Sequence, residues 1–190
     1  LRDELGLIGS APESEALAAS VADSGGVVFV PAFLGLGTPR WDYGARGSFF
    51  GLTRGAGRAQ LVRAVLEGIA HRSADLVEAA RADTGLPIES VRLDGGMSQN
   101  AFVVQACADA AGVPVEVSPV TEATTLGAAY LAGLAVGLWP DEAATAALFE
   151  PRSVVEPAWT GPKRTRERAR WAEAVARSAG WVPELSTLDF

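Results

Sequence analysis

The sequence predicts an α/β fold with a core of parallel strands. Over residues 90–136, short apolar runs alternate with helical patterns in the order strand, turn, helix, strand, turn, helix. Strands that alternate with helices in this way pair in parallel, with each helix crossing one face of the sheet. A composition of 48% hydrophobic and 21% charged residues is typical of a globular chain, and 190 residues suffice for one domain or slightly more.

The first half of the chain is predicted to pack helices around two short strands. A proline at a first helical position predicts a helix from Pro12 to a Gly-Gly pair. The strongest helical pattern covers residues 60–82 and stops at Gly85, with one apolar stripe formed by Leu61, Val65, Ile69, Leu76 and Ala80. The other elements are the tail of a helix at residues 1–8, strands at 27–30 and 48–50, and an ordered loop at 32–46.

The second half carries the alternation itself. Its predicted elements are strands at residues 90–93 and 113–117, helices at 98–111, 122–136, 141–148 and 162–178, and an extended connector at 150–159. The uncharged stretch 123–140 contains Gly133-x-x-x-Gly137, so a membrane helix is one interpretation. Its threonines and glycines, and the proline that ends it, favour a buried core helix.

Charge and rare residues restrict the possible functions. The formal net charge is −7, although residues 162–177 alone carry +4 and the rest −11. We interpret that basic stretch as a solvated amphipathic helix, because the acidic remainder repels nucleic acid. The one cysteine, Cys107, excludes an intramolecular disulfide and a cysteine-cluster metal site, and it suits a reducing compartment. Cys107 is expected to be a small core residue, and the one histidine, His71, a surface or satisfied helix residue rather than a catalytic one.

The turn at residues 94–100 is the candidate ligand site. A strand ends in Asp94-Gly95-Gly96, and a helix capped by Ser98 is predicted to follow. Glycines allow a ligand to approach the backbone, a helix N-terminus attracts anions, and Asn100 offers the donors and acceptors that adenine or ribose needs. A tight turn that needs glycine for geometry alone explains the pattern equally well.

Several motifs resemble one enzyme family. Residues 93–98 (LDGGMS) are similar to the adenosine motif of the actin, Hsp70 and sugar-kinase ATPases. Residues 47–67 fit the second signature of the FGGY carbohydrate kinases, and residues 29–37 and 121–137 resemble the glycerol kinases within that family. The resemblance runs in unbroken order over residues 1–180.

The resemblance implies an actin-like ATPase (ribonuclease H-like) domain. Residues 1–180 would form a partial C-terminal nucleotide-binding lobe that lacks its first antiparallel strands, and residues 181–190 a tail. In such a lobe, Gly96 would pack against ATP or ADP, Asn100 would hydrogen-bond near adenine, and Gly95 would shape the turn. The catalytic aspartate, the phosphate loops and most Mg²⁺ ligands would lie upstream of Leu1. This chain would then hold no catalytic or metal-binding residue.

The implied function is that of the C-terminal part of a cytoplasmic, ATP-dependent glycerol kinase. Two alternatives remain, namely another FGGY kinase acting on xylulose, ribulose or erythritol, and a non-catalytic nucleotide-binding or interaction module. The expected substrate is a small polyol or sugar, with no nucleic acid or membrane partner. The missing strands would leave an open edge, so we expect either self-association or a partner that carries the N-terminal lobe.

Overall fold

The computed structural model describes residues 1–186 and contains seven helices and five short strands within them. In chain order these are α1 (Glu13–Ala19), β1 (Val28–Val30), β2 (Ser48–Phe50), α2 (Arg58–Thr84), β3 (Val91–Leu93), α3 (Ala101–Ala111), β4 (Val115–Val117), α4 (Ala123–Ala135), α5 (Glu142–Ala146), β5 (Ser153–Val155), α6 (Gly161–Ser178) and α7 (Pro183–Ser186). A 3₁₀ turn, Gly96–Gln99, precedes α3. The last four residues of the predicted 181–190 tail lie outside the described residues.

The strands form two small sheets, and the parallel pair predicted from the sequence is confirmed. β1 and β2 are antiparallel, with Phe29 opposite Phe49. β3 and β4 are parallel, with Val91 opposite Val115. β5 adds to the other edge of β4 in the antiparallel sense. The predicted connector at residues 150–159 therefore contains a strand, which sequence patterns missed because it is three residues long and mostly exposed.

Two N-terminal predictions were wrong, one in the type of element and one in its end. Residues 1–8 form turns rather than the tail of a helix, with the amide of Leu7 bonded back to the carbonyl of Leu1. The first helix ends at Ala19, well before the Gly-Gly pair. At that end the Ser20 hydroxyl donates to the carbonyl of Leu17, and this bond competes with the helical bond that the carbonyl would otherwise accept from the next turn.

Helix α2 is the centre of the molecule. Its buried residues lie on more than one face, because α2 contacts β1, α1, α3 and α6. Leu66, Ala70 and Ala74 pack against α3 and β4, while Ala64 packs against Val27 and Phe29. The single apolar stripe predicted for this helix was therefore wrong, and Leu76 is 47% exposed. Gly85, with φ +66°, ends the helix as predicted.

Helix α6 is attached to α2 by buried polar contacts. The Asp75 carboxylate, 5% exposed, accepts hydrogen bonds from the Arg168 guanidinium and from the Trp171 indole at 3.0 Å. Arg164 donates to the carbonyl of Asp109. The interpretation of α6 as a helix with all its arginines in water was therefore wrong for Arg164 and Arg168.

The two rare side chains are both buried, which confirms the core position predicted for Cys107 and shows that His71 is not a surface residue. Cys107 lies in the core beside α2, and burial raises the pKa of its thiol to about 11. His71 stacks on Trp171, with ring centroids 5.4 Å apart.

Helix α4 lies on the surface, which contradicts the prediction of a buried core helix. Of its thirteen residues, all of them described, Gly133 alone is buried. Because Gly133 has no side chain, Trp139 can fold back against the helix there. The Trp139 ring also packs edge-on to Tyr130. Leu131 and Val136 are 68% and 82% exposed. None of the helices in residues 1–186 is both long and apolar enough to span a membrane.

The position of α2 depends on one glycine, and this can be tested. A Cβ atom at Gly68 would lie 2.2 Å from the Phe29 carbonyl oxygen. We expect Gly68→Ala to lower the free energy of unfolding by about 1–3 kcal/mol, because a backbone atom must move. The measurement is guanidinium unfolding followed by circular dichroism.

The matched control is Gly127→Ala in α4, where an added Cβ would meet nothing within 4 Å. Because alanine favours a helix more than glycine does, Gly127→Ala should raise the free energy of unfolding by about 0.5–1 kcal/mol. Equal destabilisation by both substitutions would contradict the role assigned to Gly68.

Candidate functional site

The candidate site lies where β3 ends at the edge of the parallel pair. The chain leaves Leu93 through Gly95, which has φ +79°, and then makes the 3₁₀ turn before α3. In open α/β sheets, the carboxyl ends of parallel strands are the usual place for a ligand. The three residues predicted for this site, Gly95, Gly96 and Asn100, are all in this turn.

The cap of α3 is Asn100, not the predicted Ser98. The Asn100 Oδ1 atom accepts from the amide of Val103 at 3.1 Å. The 3₁₀ turn delays the start of the helix to Ala101, so Ser98 is buried inside the turn. Its hydroxyl there donates to the carbonyl of Gly95 at 2.8 Å. Either residue can cap a helix, and only the backbone path decides between them.

A second helix end completes the site, and sequence reasoning missed it. The Nδ2 group of Asn100 donates to the hydroxyl of Ser14 at 3.2 Å. The Glu15 carboxylate accepts from the amide of Ala101 at 3.0 Å and thereby satisfies a free donor at the start of α3. Residues 86 positions apart in the chain thus meet at one helix N-terminus. Nothing in their local sequence signals this contact.

The space between α1 and the turn is a cleft of about 120 Å³. Its lining residues are Ala11, Pro12, Glu15, Gly96, Met97, Gln99 and Asn100. The wall is therefore mostly apolar, with a carboxylate and two amides at its edge. Such a composition suits a flat heterocycle that offers a few hydrogen-bonding edges.

The two glycines of the turn serve different purposes. Gly95 adopts a left-handed backbone conformation that other residues rarely adopt. Gly96 has no such φ, and a Cβ atom there would meet nothing within 4 Å. The fold therefore explains Gly95 but not Gly96. The absent side chain leaves open space at the mouth of the cleft.

The turn is held rigidly from its other side. Arg152, just before β5, donates to the side chain of Gln99 at 2.9 Å and to the carbonyl of Ser98 at 3.0 Å. This support comes from the segment that was predicted to be an extended connector. A preorganised turn binds a ligand without first losing conformational entropy.

Comparison with known proteins identifies the family. Residues 3–136 match the C-terminal domain of the FGGY family of carbohydrate kinases. The chain belongs to this family. Its mixed sheet and its helices accordingly represent the actin-like, ribonuclease H-like ATPase fold that the motifs implied.

FGGY relatives of known name share about half of the residues. The chain is 51% identical over 181 residues to glycerol kinase 2 of Thermotoga maritima, which covers 95% of this chain and 36% of that protein. It is 52% identical over 182 residues to the glycerol kinase of Dechloromonas aromatica, with 96% and 36% coverage. The chain thus spans about a third of the length of these relatives.

Solved FGGY structures agree with the fold. The glycerol kinase of Plasmodium falciparum, solved with ADP, superposes with a TM-score of 0.81 at 36% identity, covering 91% of this chain and 35% of that one. A ligand-bound xylulose kinase from Lactobacillus acidophilus gives a TM-score of 0.71 at 28% identity, with 91% and 35% coverage.

Three aspartates of this FGGY chain, Asp42, Asp94 and Asp141, do not line the cleft at Gly96. Asp42 accepts from the amides of Gly44 and Gly180, and Asp141 caps α5. Although burial raises the pKa of Asp42, the hydrogen bonds that its carboxylate accepts lower this pKa to below its usual range.

Asp94 lines a separate, largely apolar cavity of about 480 Å³ between the ends of β3 and β4 and helix α4. Among residues 1–186, no three His, Cys, Asp or Glu side chains are grouped to hold a metal ion.

Proposed function

We propose that this chain forms the adenosine-binding side of the active site in an ATP-dependent glycerol kinase. The observation that carries the proposal is the open space at Gly96, at the mouth of a cleft that the fold itself does not require to be open. The named relatives support the choice of glycerol kinase, and one of the similar structures was solved with ADP.

In this proposal each residue of the turn has a separate role. Gly95 sets the backbone direction, and Gly96 lets the nucleotide approach. Asn100 uses Oδ1 for the helix cap and one Nδ2 hydrogen for Ser14, so its second Nδ2 hydrogen is left for an acceptor on adenine. The start of α3 also offers a partial positive charge to anionic groups of the ligand.

The reaction of the intact protein would transfer the γ-phosphoryl group of MgATP to a hydroxyl of glycerol. Such a transfer needs a base for that hydroxyl and donors around the phosphate. Mg²⁺ would neutralise charge on the phosphates. The described residues contain no grouped ligand set for the ion, so we assign its ligands, and the base, to other parts of the protein. We also propose a cytoplasmic location, in keeping with the single unpaired cysteine.

Titration of the chain with ADP tests the adenosine site. We expect binding to wild type, and about tenfold or greater weakening in Gly96→Val, whose side chain fills the open space, and in Asn100→Asp. Asn100→Asp keeps a side-chain oxygen for the α3 cap but replaces the donor with an acceptor. Isothermal titration calorimetry gives the affinities, and thermal unfolding checks that both variants keep the fold.

Gly127→Ala serves as the control and should bind ADP like wild type, because Gly127 lies outside the cleft. No ADP binding to a folded wild-type chain would leave only a structural or interaction role. Unchanged affinity in both cleft variants would place the nucleotide elsewhere.

A coupled assay on the intact parent protein tests the substrate. We expect turnover with glycerol and none with xylulose, ribulose or erythritol. The 190-residue chain alone should show no glycerol phosphorylation above background, because it spans about 36% of its relatives and lacks a placed base. Turnover with one of the sugars in place of glycerol would reassign the protein to a sibling activity. Activity of the chain alone would refute our placement of the catalytic groups.

We further propose that the rest of the protein covers the apolar surface of α4. The support is the exposure of Leu131 in α4 and of Val136 and Leu138 just after it. Other residues of α4, among them Leu126 and Tyr130, line the large apolar cavity. In the absence of that covering, we expect the isolated chain to self-associate. Sedimentation velocity should show dimers or larger species, and Leu131→Ser with Val136→Ser should shift them toward monomer. A monomeric wild-type chain at about 100 μM would contradict the proposal.

A further inference from the structure

A third cavity lies between α2 and α6 and takes no part in the proposed function. It has a volume of about 320 Å³ and is enclosed by the loop before β1, helix α2 and helix α6. Its charged lining residues are Asp23, Arg63, Glu67, Lys163, Arg166, Glu167 and Arg170. It shares no lining residue with the cleft at Gly96.

His71 lines this cavity and is 8% exposed. Its ring lies between Trp171 and Trp159, with centroids 5.4 and 6.0 Å away. The Nδ1 atom faces a guanidinium nitrogen of Arg168 at 3.4 Å, which can only donate, so Nδ1 is the acceptor and the proton of the neutral ring is on Nε2. Burial, and then the charge of Arg168, lower the pKa of His71 to about 4, so the ring is neutral at pH 7.

The Nε2–H group of His71 is a donor without an acceptor. None of the hydrogen bonds formed by residues 1–186 uses this group, and Nε2 is not among the fully buried polar atoms that lack a partner, so it opens into the cavity. A donor at a cavity wall is available to an acceptor on a ligand or to water. The cavity therefore favours an acceptor-bearing ligand at this wall.

The cations of α6 give this ligand its expected charge. Lys163 has no carboxylate partner among the described residues, and its ammonium lies 5.1 Å from the Trp159 ring centre. Arg166 and Arg170 share one carboxylate, that of Glu167, at 3.1 and 3.3 Å. This part of the wall thus holds three cations against a single carboxylate.

The remaining charges of the cavity are used within the protein. Arg63 pairs with Glu67 at 2.7 Å and donates to the carbonyls of Ala18 and Val21. The Asp23 carboxylate accepts from the amide of Gly25 at 2.8 Å. These groups leave the α6 side as the cationic face.

We propose that this cavity is a binding site for a phosphoryl group, held by Lys163, Arg166 and Arg170 and by the Nε2–H of His71. Phosphate oxygens accept from several donors at once and carry negative charge that would balance the excess of cations on this wall. The volume exceeds that of phosphate alone, and Trp159 offers an aromatic wall beside Lys163. A small phosphomonoester therefore fits the site better than inorganic phosphate.

The single histidine makes a direct test possible, because every imidazole signal of the chain belongs to His71. The chain, labelled with ¹⁵N-histidine, is titrated at pH 7 with inorganic phosphate and separately with phenyl phosphate. Potassium chloride of equal ionic strength serves as the reference. We expect the Nε2 resonance to shift in a saturable manner with both anions, and at lower concentration with phenyl phosphate. Equal affinity for both anions would overturn the preference for a phosphomonoester, and shifts no larger than those with chloride would overturn the site.

Substitutions that each remove one positive charge from α6 distinguish a specific site from general electrostatic attraction. Lys163→Gln and Arg166→Gln should each weaken binding about tenfold, since each removes one charge-assisted contact. Arg177→Gln removes the same charge from α6 outside the cavity, where Arg177 pairs with Glu173, and should change affinity less than about twofold. Equal weakening by all three substitutions would show that the anion is attracted to the helix as a whole and would refute the site.

Discussion

The close approach of α2 to β1 and to α3 is the constraint on which the structure depends. On one side the helix lies against β1 so tightly that Gly68 has no room for a Cβ atom beside the Phe29 carbonyl. On the other side, Ala70 and Ala74 meet the small and branched residues of α3, including Val103 and Ala106. Small side chains at these points let α2 pack closely against β1 on one side and α3 on the other, because buried interiors tolerate little extra volume.

The candidate nucleotide site follows from that packing. Helix α3 is fixed against α2, which brings its N-terminus to α1, where Ser14 and Glu15 satisfy the groups at the cap. The turn before α3 is then braced by Arg152 from the other side. The fold does not require a glycine at position 96, where an added Cβ atom would meet nothing within 4 Å, so Gly96 is informative for ligand binding.

Helix α6 connects the same central helix to a different surface. Asp75 accepts from both Arg168 and Trp171, and a buried carboxylate of this kind is costly unless its partners stay in place. The arrangement also sets His71 against Trp171 and directs one ring nitrogen to Arg168. One side of α2 thus supports the turn of the candidate nucleotide site, and the α6 side carries a polar cavity of its own.

The sequence by itself determined the parallel β3–β4 pair, the extent of α2 within two residues at each end, and the turn that carries Gly95, Gly96 and Asn100. These are local properties, because apolar period, strand length and turn residues act over a few neighbours. The tertiary structure alone decided that Asn100 rather than Ser98 caps α3, that Ser14 and Glu15 join the site, and that β5 pairs with β4. It also decided that α4 is exposed and that α2 is buried on several faces, because burial depends on which elements meet in space and not on the pattern within one of them.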